Sequence, residues 1–352
     1  MSWSAHTITT VNVLVPVGPG GAVVGPAAAN RIAALDAGAA DYDRPPPHTA
    51  AAYAADWRAW LRFIDDLNDG LAQQDPGGAP VPPTATNPGT FVAFVLWHEQ
   101  RGLAPETVKR RLYGVLVTLR DQGIEVPKAT TAAARRALNN YRRRLSDAGK
   151  RLGRGPAPVA TISQIRRICA VLPDTLAGHR DRALVLFGFT VAARRSNLAG
   201  LDIADVVEHD EGLVITIRRN KTGPREATVE RGTHDGTCPV RAWRTWIEAA
   251  ELADDHGPLF RPIDRHGNLM NRRLSPRACG EIVSRAAAEA DVPVKLTGHS
   301  LRAGLATAAR AAGHDVKTIA EQGGWNPNSA ELYKYMRIVD RWTDNATKGI
   351  GL

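Results

Sequence analysis

The sequence TGHSLRAG, Thr297 to Gly304, carries the strongest structural signal in this chain of 352 residues. Thr297 can accept hydrogen bonds from the free N–H groups of a first helical turn, and Gly298 allows a tight entry, so the segment predicts a helix start. His299 and Arg302 are three residues apart and share one face of that helix, near an N-terminus whose dipole favours anions. The spacing is typical of a phosphate site, although a capping histidine beside a surface arginine would give the same pattern.

Other polar and aromatic residues stand where predicted elements begin or end. Arg194 lies in TVAARRSNLAGL, where an apolar helix meets a turn of small residues, and Lys221 lies at the tip of a predicted β-hairpin. Trp325 follows the glycine pair of EQGGWNP, and Tyr333 and Tyr335 belong to ELYKYMR. Each one alone fits an ordinary structural role, such as a surface ion pair, a turn lysine or a packed aromatic ring. Their order along the chain is what indicates a function.

The N-terminal part of the chain predicts an arm followed by a small helical domain. Residues 1–46 are rich in Ala, Gly and Pro and predict a flexible N-terminal arm. Residues 47–148 predict four helices, because apolar residues recur at spacings of three and four in four successive segments. The first, TAAAYAADWRAWLRFIDDL from Thr49, predicts a helix of about 18 residues. Residues 149–160, GKRLGRGPAPVA, have the composition of a linker.

The positive charge of the chain is concentrated in this helical region and its linker. The formal net charge is +9, and residues 101–154 contain fourteen Lys and Arg against four Asp and Glu. The rest of the chain is therefore close to neutral. Such a distribution favours a polyanionic partner or an acidic surface.

Residues 161–352 predict a second, larger domain that is mainly α with a small β-sheet. In GLVITIRRNKTGPREATVERG, the apolar residues Leu213, Ile215 and Ile217 alternate before a turn signal, which predicts a short β-hairpin. Helical patterns precede this segment and return from Pro239 to the end of the chain.

Composition gives no sign of a metal site, a disulfide framework or a membrane span. Cys169, Cys238 and Cys279 are isolated and lack CxxC spacing. Prolines and glycines interrupt the apolar N-terminal segment VNVLVPVGPGGAVVG, and no apolar run approaches the roughly 18–20 residues of a membrane helix. We therefore expect a soluble protein of the reducing cytoplasm, without a bound metal.

The ordered set of residues resembles the tyrosine recombinase or phage integrase family. That family carries Arg, Lys, His-x-x-Arg, His or Trp, and Tyr in this order. The chain offers matching residues in AARRSNL, NKTG, GHSLR, GGW and YMR, namely Arg194, Lys221, His299, Arg302, Trp325 and Tyr335. RDRALVLFGF before the first arginine and DRWTDNA after the tyrosine are also similar. GHSLRAG followed by GGW and a tyrosine is a specific signature.

The resemblance implies a two-domain clamp around double-stranded DNA. Residues 47–148 are similar to the family's helical core-binding, SAM-like domain, and residues 161–352 to its catalytic domain. Four protomers would pair two recombination sites, in the cytoplasm and in association with the nucleoid. Basic residues of the first domain and the linker are then expected to contact DNA, namely Lys109, Arg110, Arg111, Arg142, Arg143, Lys150, Arg151 and Arg154.

The chemistry that the resemblance implies is strand cleavage and rejoining. Tyr335 would attack the scissile phosphate to give a 3′-phosphotyrosine, and exchange would proceed through a Holliday junction. Arg194 and Arg302 would hold the non-bridging oxygens, and Lys221 would protonate the leaving 5′ oxygen. His299 would assist proton transfer, and the indole of GGW would donate its N–H or pack on the site. No metal ion is expected, because this set has no acidic cluster for Mg²⁺ and no Cys/His grouping for Zn²⁺. No cofactor is expected, because the covalent link retains the energy of the phosphodiester.

Two features depart from the usual family pattern. Asn197 occupies a position where the family often has Glu; it can still form hydrogen bonds near Arg194, but it carries no charge. In the family, the tyrosine commonly follows the His or Trp position by eight or nine residues. Here Tyr335 lies ten residues after Trp325 and Tyr333 lies eight, so spacing alone does not identify the nucleophile.

Helix geometry separates the two tyrosines. Residues two apart on a helix point about 200° away from each other, so only one tyrosine can enter the site. Tyr335 shares an inward stripe with Leu332, Met336 and Val339, whereas Tyr333 lies with charged residues on or near the other side. The sequence around YMR favours the same choice. We therefore take Tyr335 as the nucleophile and keep Tyr333 as the alternative.

The segment DRWTDNATKGIGL beyond this helix contains the apolar residues Trp342, Ile350 and Leu352. By resemblance it packs on a neighbouring protomer; the alternative is a tail that covers its own domain. Other functions also fit part of the pattern: a non-catalytic DNA-binding regulator on the same fold, nicking and closing like that of type IB topoisomerases, hairpin-telomere resolution, or a basic RNA-binding module.

Overall fold

The protein is mainly helical with a small three-stranded antiparallel sheet, as the sequence predicts. One compact unit ends at Gly155 and a second begins at Pro156. The structure, a computed structural model, describes residues 15–17, 22–42, 45–153, 155–218, 223–343 and 345–351.

The described residues of the first unit form a two-stranded antiparallel ribbon and five helices. The ribbon consists of β1 (Val15–Val17) and β2 (Ala22–Val24). The four helices predicted between residues 47 and 148 are confirmed as the last four of the five. The helices are α1 (Pro26–Tyr42), α2 (Pro47–Gln74), α3 (Pro88–Gln100), α4 (Pro105–Asp121) and α5 (Lys128–Asp147).

Proline and aromatic residues explain the architecture of the helices α2 to α4. Each of these three helices starts with proline, whose fixed φ suits a first helical residue. Proline has no N–H, but an N–H at this position would have no acceptor within the helix. Trp60 is the centre of the core, with its ring 5.0 Å from the rings of both Phe91 and Phe94. Its indole N–H donates to Pro83 O at 2.8 Å, so the polar atom of this buried residue is satisfied.

The second unit contains eight helices and the sheet among its described residues. Two short 3-10 turns, Ile203–Asp205 and Asp235–Thr237, connect them. The strands are β3 (Val206–Glu208), β4 (Gly212–Ile217) and β5 (Arg225–Glu230). The helices are α6 (Ile162–Val171), α7 (Leu176–Thr190), α8 (Arg195–Gly200), α9 (Pro239–Ala249), α10 (Pro276–Glu289), α11 (Gly298–Ala311), α12 (Val316–Gly323) and α13 (Ala330–Thr343).

The sheet has the order β3-β4-β5, and β4 pairs with β5 as the predicted hairpin. Leu213, Ile215 and Ile217 of β4 are buried, which confirms the alternation read from the sequence. Ile217 pairs with Arg225, which therefore lies at the end of β5 nearest the hairpin turn. Lys221, predicted at that turn, lies outside the described residues.

Two hydrophobic clusters position the elements of the second unit. The larger one surrounds α7 and includes Leu184, Phe187 and Trp246. The smaller one joins α11, α12 and α13, and it includes Leu332 and Tyr335. Because α13 packs on α11 through this second cluster, residues on one side of α13 face the start of α11. Among the described helices, none is long and apolar enough to cross a membrane.

Candidate active site

Arg194 stands at the start of α8, directly after a buried turn from Val191 to Ala193. Ala192 in this turn has φ +47°, a left-handed conformation that residues with a Cβ adopt at some cost. The backbone N–H of Arg194 donates to Asn197 Oδ1 at 3.0 Å, and Asn197 is buried. Asn197 thus fixes the backbone from which the half-buried Arg194 side chain extends.

The predicted helix start at Thr297 is confirmed, since α11 begins at Gly298. The backbone N–H of Thr297 donates to the Ser300 hydroxyl at 3.0 Å, so the Ser300 side chain also fixes this helix end. A Cβ on Gly298 would lie 2.7 Å from Cγ of Arg195, so the close packing of α8 on this turn requires glycine. These contacts bring the start of α11 next to the start of α8.

Arg302 is the most deeply placed charge of the site, with 5% of its surface exposed. Its Nη1 donates to the carbonyl oxygens of Ala192 and Gly323, and its Cζ lies 3.7 Å from the ring centroid of Trp325. Among the residues that the structure describes, none accepts a hydrogen bond from its Nη2. Burial first, and then the positive charges of Arg194 and Arg225, lower the pKa of Arg302 to about 9. A buried cation with one uncommitted donor suits an incoming anion.

Two glycines place Trp325 over Arg302. Gly324 ends α12 in the left-handed conformation, with φ +61°, and the N–H of Trp325 donates to Ala320 O at 2.9 Å. A Cβ on Gly323 would lie 1.7 Å from the indole of Trp325, so the ring occupies space that only glycine leaves free. The GGW sequence therefore sets the position of the indole.

Tyr335 faces this cluster from α13. It is 5% exposed, its ring centroid lies 6.4 Å from that of Trp325, and its hydroxyl donates to Glu331 Oε1 at 3.1 Å. Burial and then the Glu331 carboxylate raise the pKa of Tyr335 to about 12. Tyr333 is 41% exposed on the other side of the helix. The structure therefore brings Tyr335, and not Tyr333, towards Arg302, and Leu332 and Met336 are buried as predicted for the inward stripe.

His299 lies in the first turn of α11 and is exposed to solvent. Loss of hydration on its inner side lowers the pKa of His299, and the positive charges of Arg195 and Arg302 lower it further. The ring is therefore biased towards its neutral form, which can both accept and donate a proton.

Sequence reasoning missed Arg225 and Glu331. Arg225 is half-buried, and its Nη1 and Nη2 donate to Gln322 O and Val191 O, both at 2.7 Å. Burial, followed by the charge of Arg194, lowers the pKa of Arg225 to about 10. Strand alternation was an available signal, because Arg225 lies two and four residues before the buried Ala227 and Val229 and therefore on the same face of the strand. Glu331 could have been found from its spacing of four residues before Tyr335.

The structure thus brings together five of the six predicted site residues, and the sixth, Lys221, lies outside the described residues. The charge of Arg194 lowers the pKa values of Arg225 and Arg302, and the charge of Arg225 lowers that of Arg302 further, so the site is strongly positive. No group of three or more His, Cys, Asp or Glu side chains that could hold a metal ion occurs within the described ranges. The arrangement can bind an anion of the size of phosphate beside a tyrosine hydroxyl.

The basic residues expected to contact DNA differ in their surroundings. Arg110 donates to the buried carboxylate of Asp56 at 2.6 Å, and Arg142 to Glu106 at 2.6 Å. Arg111 is half-buried beside His98. The remaining described members of the set are exposed, namely Lys109, Arg143, Lys150 and Arg151, and Arg154 lies outside the described residues.

A groove between α4 and α5 gathers part of this charge. Its volume is about 740 Å³, and Leu112 and Leu138 form part of its apolar floor. Lys109, Arg135 and Arg142 are among the basic residues that line it. The groove therefore combines an apolar floor with positive side chains.

Comparison with known proteins gives a consistent result. The model of the phage integrase family matches residues 159–340. The integrase/recombinase xerD homolog of Selenomonas ruminantium is 31% identical over 49% of this chain and 51% of the relative. Tyrosine recombinase XerC of Mycobacterium sp. (strain JLS) is 23% identical over 83% of this chain and 89% of the relative. The chain thus spans about half the length of the first relative and most of the second.

Among solved structures, the XerH site-specific recombinase bound to difH substrate in a pre-cleavage complex has a similar fold. The TM-score is 0.57 at 16% sequence identity, and the match covers 83% of this chain and 79% of that chain. At this level of identity the likeness shows the fold alone.

Proposed function

The chain belongs to the phage integrase family, and we propose on that premise that it is a tyrosine-type site-specific DNA recombinase, which breaks and rejoins DNA strands. One observation carries the proposal. The buried Arg302 leaves Nη2 uncommitted, stacks on Trp325 and lies with Arg194 on the side to which Tyr335 points. A phosphodiester is the anion that such a set of donors and a nucleophile would act on.

In the proposed reaction, the hydroxyl oxygen of Tyr335 forms a bond to the scissile phosphorus and loses its proton. The bond from phosphorus to the 5′ oxygen breaks, which leaves a 3′-phosphotyrosine and, after protonation, a free 5′-hydroxyl. Rejoining reverses these steps with a 5′-hydroxyl from a partner strand. Each step exchanges one phosphodiester bond for another and none is hydrolysed, so the cycle requires no external energy source.

Charge stabilisation would come from Arg302 and Arg194. The uncommitted Nη2 of Arg302 can donate to one non-bridging oxygen, and the half-buried Arg194 can donate to the other. Because Arg302 is already fixed by two carbonyls and an indole, little reorganisation is needed when charge develops on the phosphate.

Proton transfer would involve His299 and Lys221. His299, with its lowered pKa, is suited to accept the proton of the attacking hydroxyl near neutral pH. Lys221 is proposed from family resemblance to protonate the leaving 5′ oxygen.

The assembly proposed for this activity is a homotetramer that pairs two recombination sites and passes through a Holliday junction. Both units would contact double-stranded DNA, with the exposed basic residues of the first unit contacting phosphates. The segment beyond α13 would pack on a neighbouring protomer. The proposed setting is the cytoplasm, at nucleoid DNA, and the proposed chemistry uses no cofactor.

Covalent trapping tests the function. A nicked suicide duplex that carries the attachment region flanking the gene should give a protein–DNA adduct with wild type and with Tyr333→Phe, but not with Tyr335→Phe. If the adduct still forms with Tyr335→Phe and is absent with Tyr333→Phe, the nucleophile is Tyr333. Binding without any adduct would instead indicate a DNA-binding regulator, and relaxation of supercoils without two-site recombination would indicate a nicking and closing enzyme.

A further inference from the structure

We propose that Arg225 is a positioning residue for this strand-transfer site, which fixes the two turns that carry Arg194 and Trp325. The inference rests on the proposed function and adds a residue to its machinery. Within the described ranges, Arg225 donates to backbone carbonyls and not to Tyr335 or His299, so its action is through other groups.

Two arginines form parallel bridges between the same pair of turns. Arg225 donates to Val191 O and to Gln322 O, both at 2.7 Å. Arg302 donates to the next carbonyl on each side, those of Ala192 and Gly323. Consecutive carbonyls in two distant segments are thus held by two adjacent guanidinium groups.

The bridged turns lead directly to site residues. The turn at Ala192, with its left-handed φ of +47°, precedes Arg194, and the turn at Gly323 precedes Trp325. An unfavourable backbone conformation persists only where surrounding contacts hold it. The Arg225 bridge supplies such a contact at Val191, the residue before Ala192.

Gln322 extends the same bridge to the sheet. Its Nε2 donates to Thr190 O at 2.8 Å and to Thr228 O at 2.9 Å. The ends of α7 and α12 are therefore tied to β5, the strand that follows the hairpin turn where Lys221 lies in sequence. Arg225 stands at the meeting point of these three elements.

Arg225 differs from other carbonyl-bound arginines of this unit in lying close to Arg194 and Arg302. It is half-buried next to Arg194 and, within the described part of the chain, its hydrogen bonds go to neutral carbonyls and not to a carboxylate. Arg180 of the same unit is instead paired with Asp181, whereas Arg182 also donates to backbone carbonyls but lies away from the site. A charge without a carboxylate partner is unfavourable in the folded protein, so its retention at this bridge favours a role for the bridge itself.

Arginine, and not lysine, suits this position. The planar guanidinium presents diverging donors in a fixed plane, so one group reaches two carbonyls from different elements. A lysine would keep the charge but hold the two turns less firmly. Arg225→Lys therefore separates positioning from charge.

The experiment measures single-turnover cleavage of the suicide duplex at saturating DNA, together with thermal unfolding. Arg225→Lys should lower the saturated cleavage rate by about 100-fold, the effect of small misplacements in an active site, while DNA affinity changes little. Arg182→Lys is the matched control, since Arg182 also binds two backbone carbonyls, those of Cys169 and Leu172, away from the site. Arg182→Lys should lower the unfolding temperature without a comparable loss of rate. A folded Arg225→Lys protein that cleaves at the wild-type rate would overturn the proposal.

A second arm distinguishes positioning from direct charge stabilisation. A methylphosphonate at the scissile position removes the negative charge that Arg194 and Arg302 would neutralise. Arg194→Ala should therefore shift the ratio of rates towards the neutral substrate, whereas Arg225→Gln should keep the wild-type ratio on both substrates. A shift in Arg225→Gln equal to that in Arg194→Ala would show direct charge stabilisation and contradict positioning.

If Arg225→Lys does not fold, the saturated rate of Arg225→Gln is measured in its place, because the planar amide of Gln can donate to only one of the two bridged carbonyls at a time. A reduced saturated rate supports the proposal, and a wild-type rate contradicts it. If the wild-type protein forms no adduct, both the proposed function and this inference are overturned. If wild type forms the adduct and the Arg225 variants cleave at the wild-type rate, the inference alone is overturned.

Discussion

The hydroxyl of Tyr335 donates a hydrogen bond to Glu331 Oε1 at 3.1 Å, one helical turn earlier on α13. Burial and then the Glu331 charge raise the pKa of Tyr335 to about 12, while Arg302 lowers it. Glu331 also raises the pKa values of Arg302 and His299, so its carboxylate lies within the field of the cations that would bind phosphate. In the DNA-free protein the proposed nucleophile is therefore held protonated, and a phosphate would compete with Glu331 for the same positive charges.

Replacing Glu331 with Gln should accelerate cleavage near neutral pH. The amide removes the negative charge, so the pKa of Tyr335 falls and its phenolate forms at lower pH; one pKa unit corresponds to about tenfold in the phenolate fraction. A pH series of single-turnover cleavage rates should show the rising limb of the Glu331→Gln profile displaced to lower pH. Glu321→Gln is the control, since Glu321 is exposed on α12 and pairs weakly with Lys317. A slower rate at every pH would mean instead that Glu331 accepts the tyrosine proton.

Replacing Gly323 with Ala should displace the indole of Trp325 and impair cleavage. The added Cβ would lie 1.7 Å from the ring, so either the ring leaves Arg302 or α12 shifts. Overpacking of this kind costs about 1–3 kcal/mol of stability. Gly200→Ala is the matched control, because a Cβ there meets nothing within 4 Å. Urea unfolding and covalent trapping of both variants check the prediction, which fails if Gly323→Ala matches Gly200→Ala in both measurements.

Replacing Arg302 with Lys should abolish most cleavage and also weaken the fold. Lysine cannot satisfy both Ala192 O and Gly323 O while stacking on Trp325, and each buried carbonyl left without a donor costs about 1–3 kcal/mol. Loss of a preorganised donor at the phosphate lowers the cleavage rate by about 100-fold or more. Cleavage at saturating DNA and urea unfolding measure the two effects separately. Arg277→Lys, at an exposed pair with Glu281, should change neither, and equal behaviour of the two variants would contradict the assignment.

Elements with local signals could be predicted from the sequence. The Thr297 helix start and the alternation of β4 are set by neighbouring residues, and both are present in the structure. The predicted length of α2 was too short, because the apolar stripe that indicated about 18 residues ends before the helix does. The helix extends over 28 residues to Gln74, through Asn68 and Gly70 despite their low helix propensity, and it ends before Pro76.

Contacts between distant segments could not be predicted in the same way. Arg225 lies 34 residues after Val191 and 97 before Gln322, and its two bridges depend on how α7, α12 and β5 pack. Strand alternation predicts that Arg225 faces inward, but it does not identify its partners. The order of Arg, His-x-x-Arg, Trp and Tyr did indicate which residues meet, because that order reflects a known arrangement of distant segments.

Exposed basic residues of the first unit should determine the salt dependence of DNA binding, whereas partnered ones should determine stability. Lys109 and Arg143 are exposed, so changing either to Gln should weaken binding uniformly across DNA sequences and reduce the salt slope by about one. Arg110 is on the same helix as Lys109 but pairs at 2.6 Å with Asp56, whose carboxylate is buried. Arg110→Gln should therefore destabilise the protein by about 1–3 kcal/mol, because it removes the charged donor of that buried carboxylate.

Fluorescence anisotropy over a salt series and urea unfolding separate these effects. At a salt concentration where half of the wild-type protein is bound to DNA, Lys109→Gln and Arg143→Gln should be mostly unbound. In the separate urea experiment, both variants should unfold at the same urea concentration as wild type. Arg110→Gln should unfold at a lower urea concentration than wild type. Without urea, where the variant is still folded, it should bind DNA more nearly like wild type than the two exposed-residue variants do. Salt slopes that stay at the wild-type value in both exposed-residue variants would mean that phosphate contacts come from other surfaces, and the positive charge on α4 and α5 would then serve another purpose.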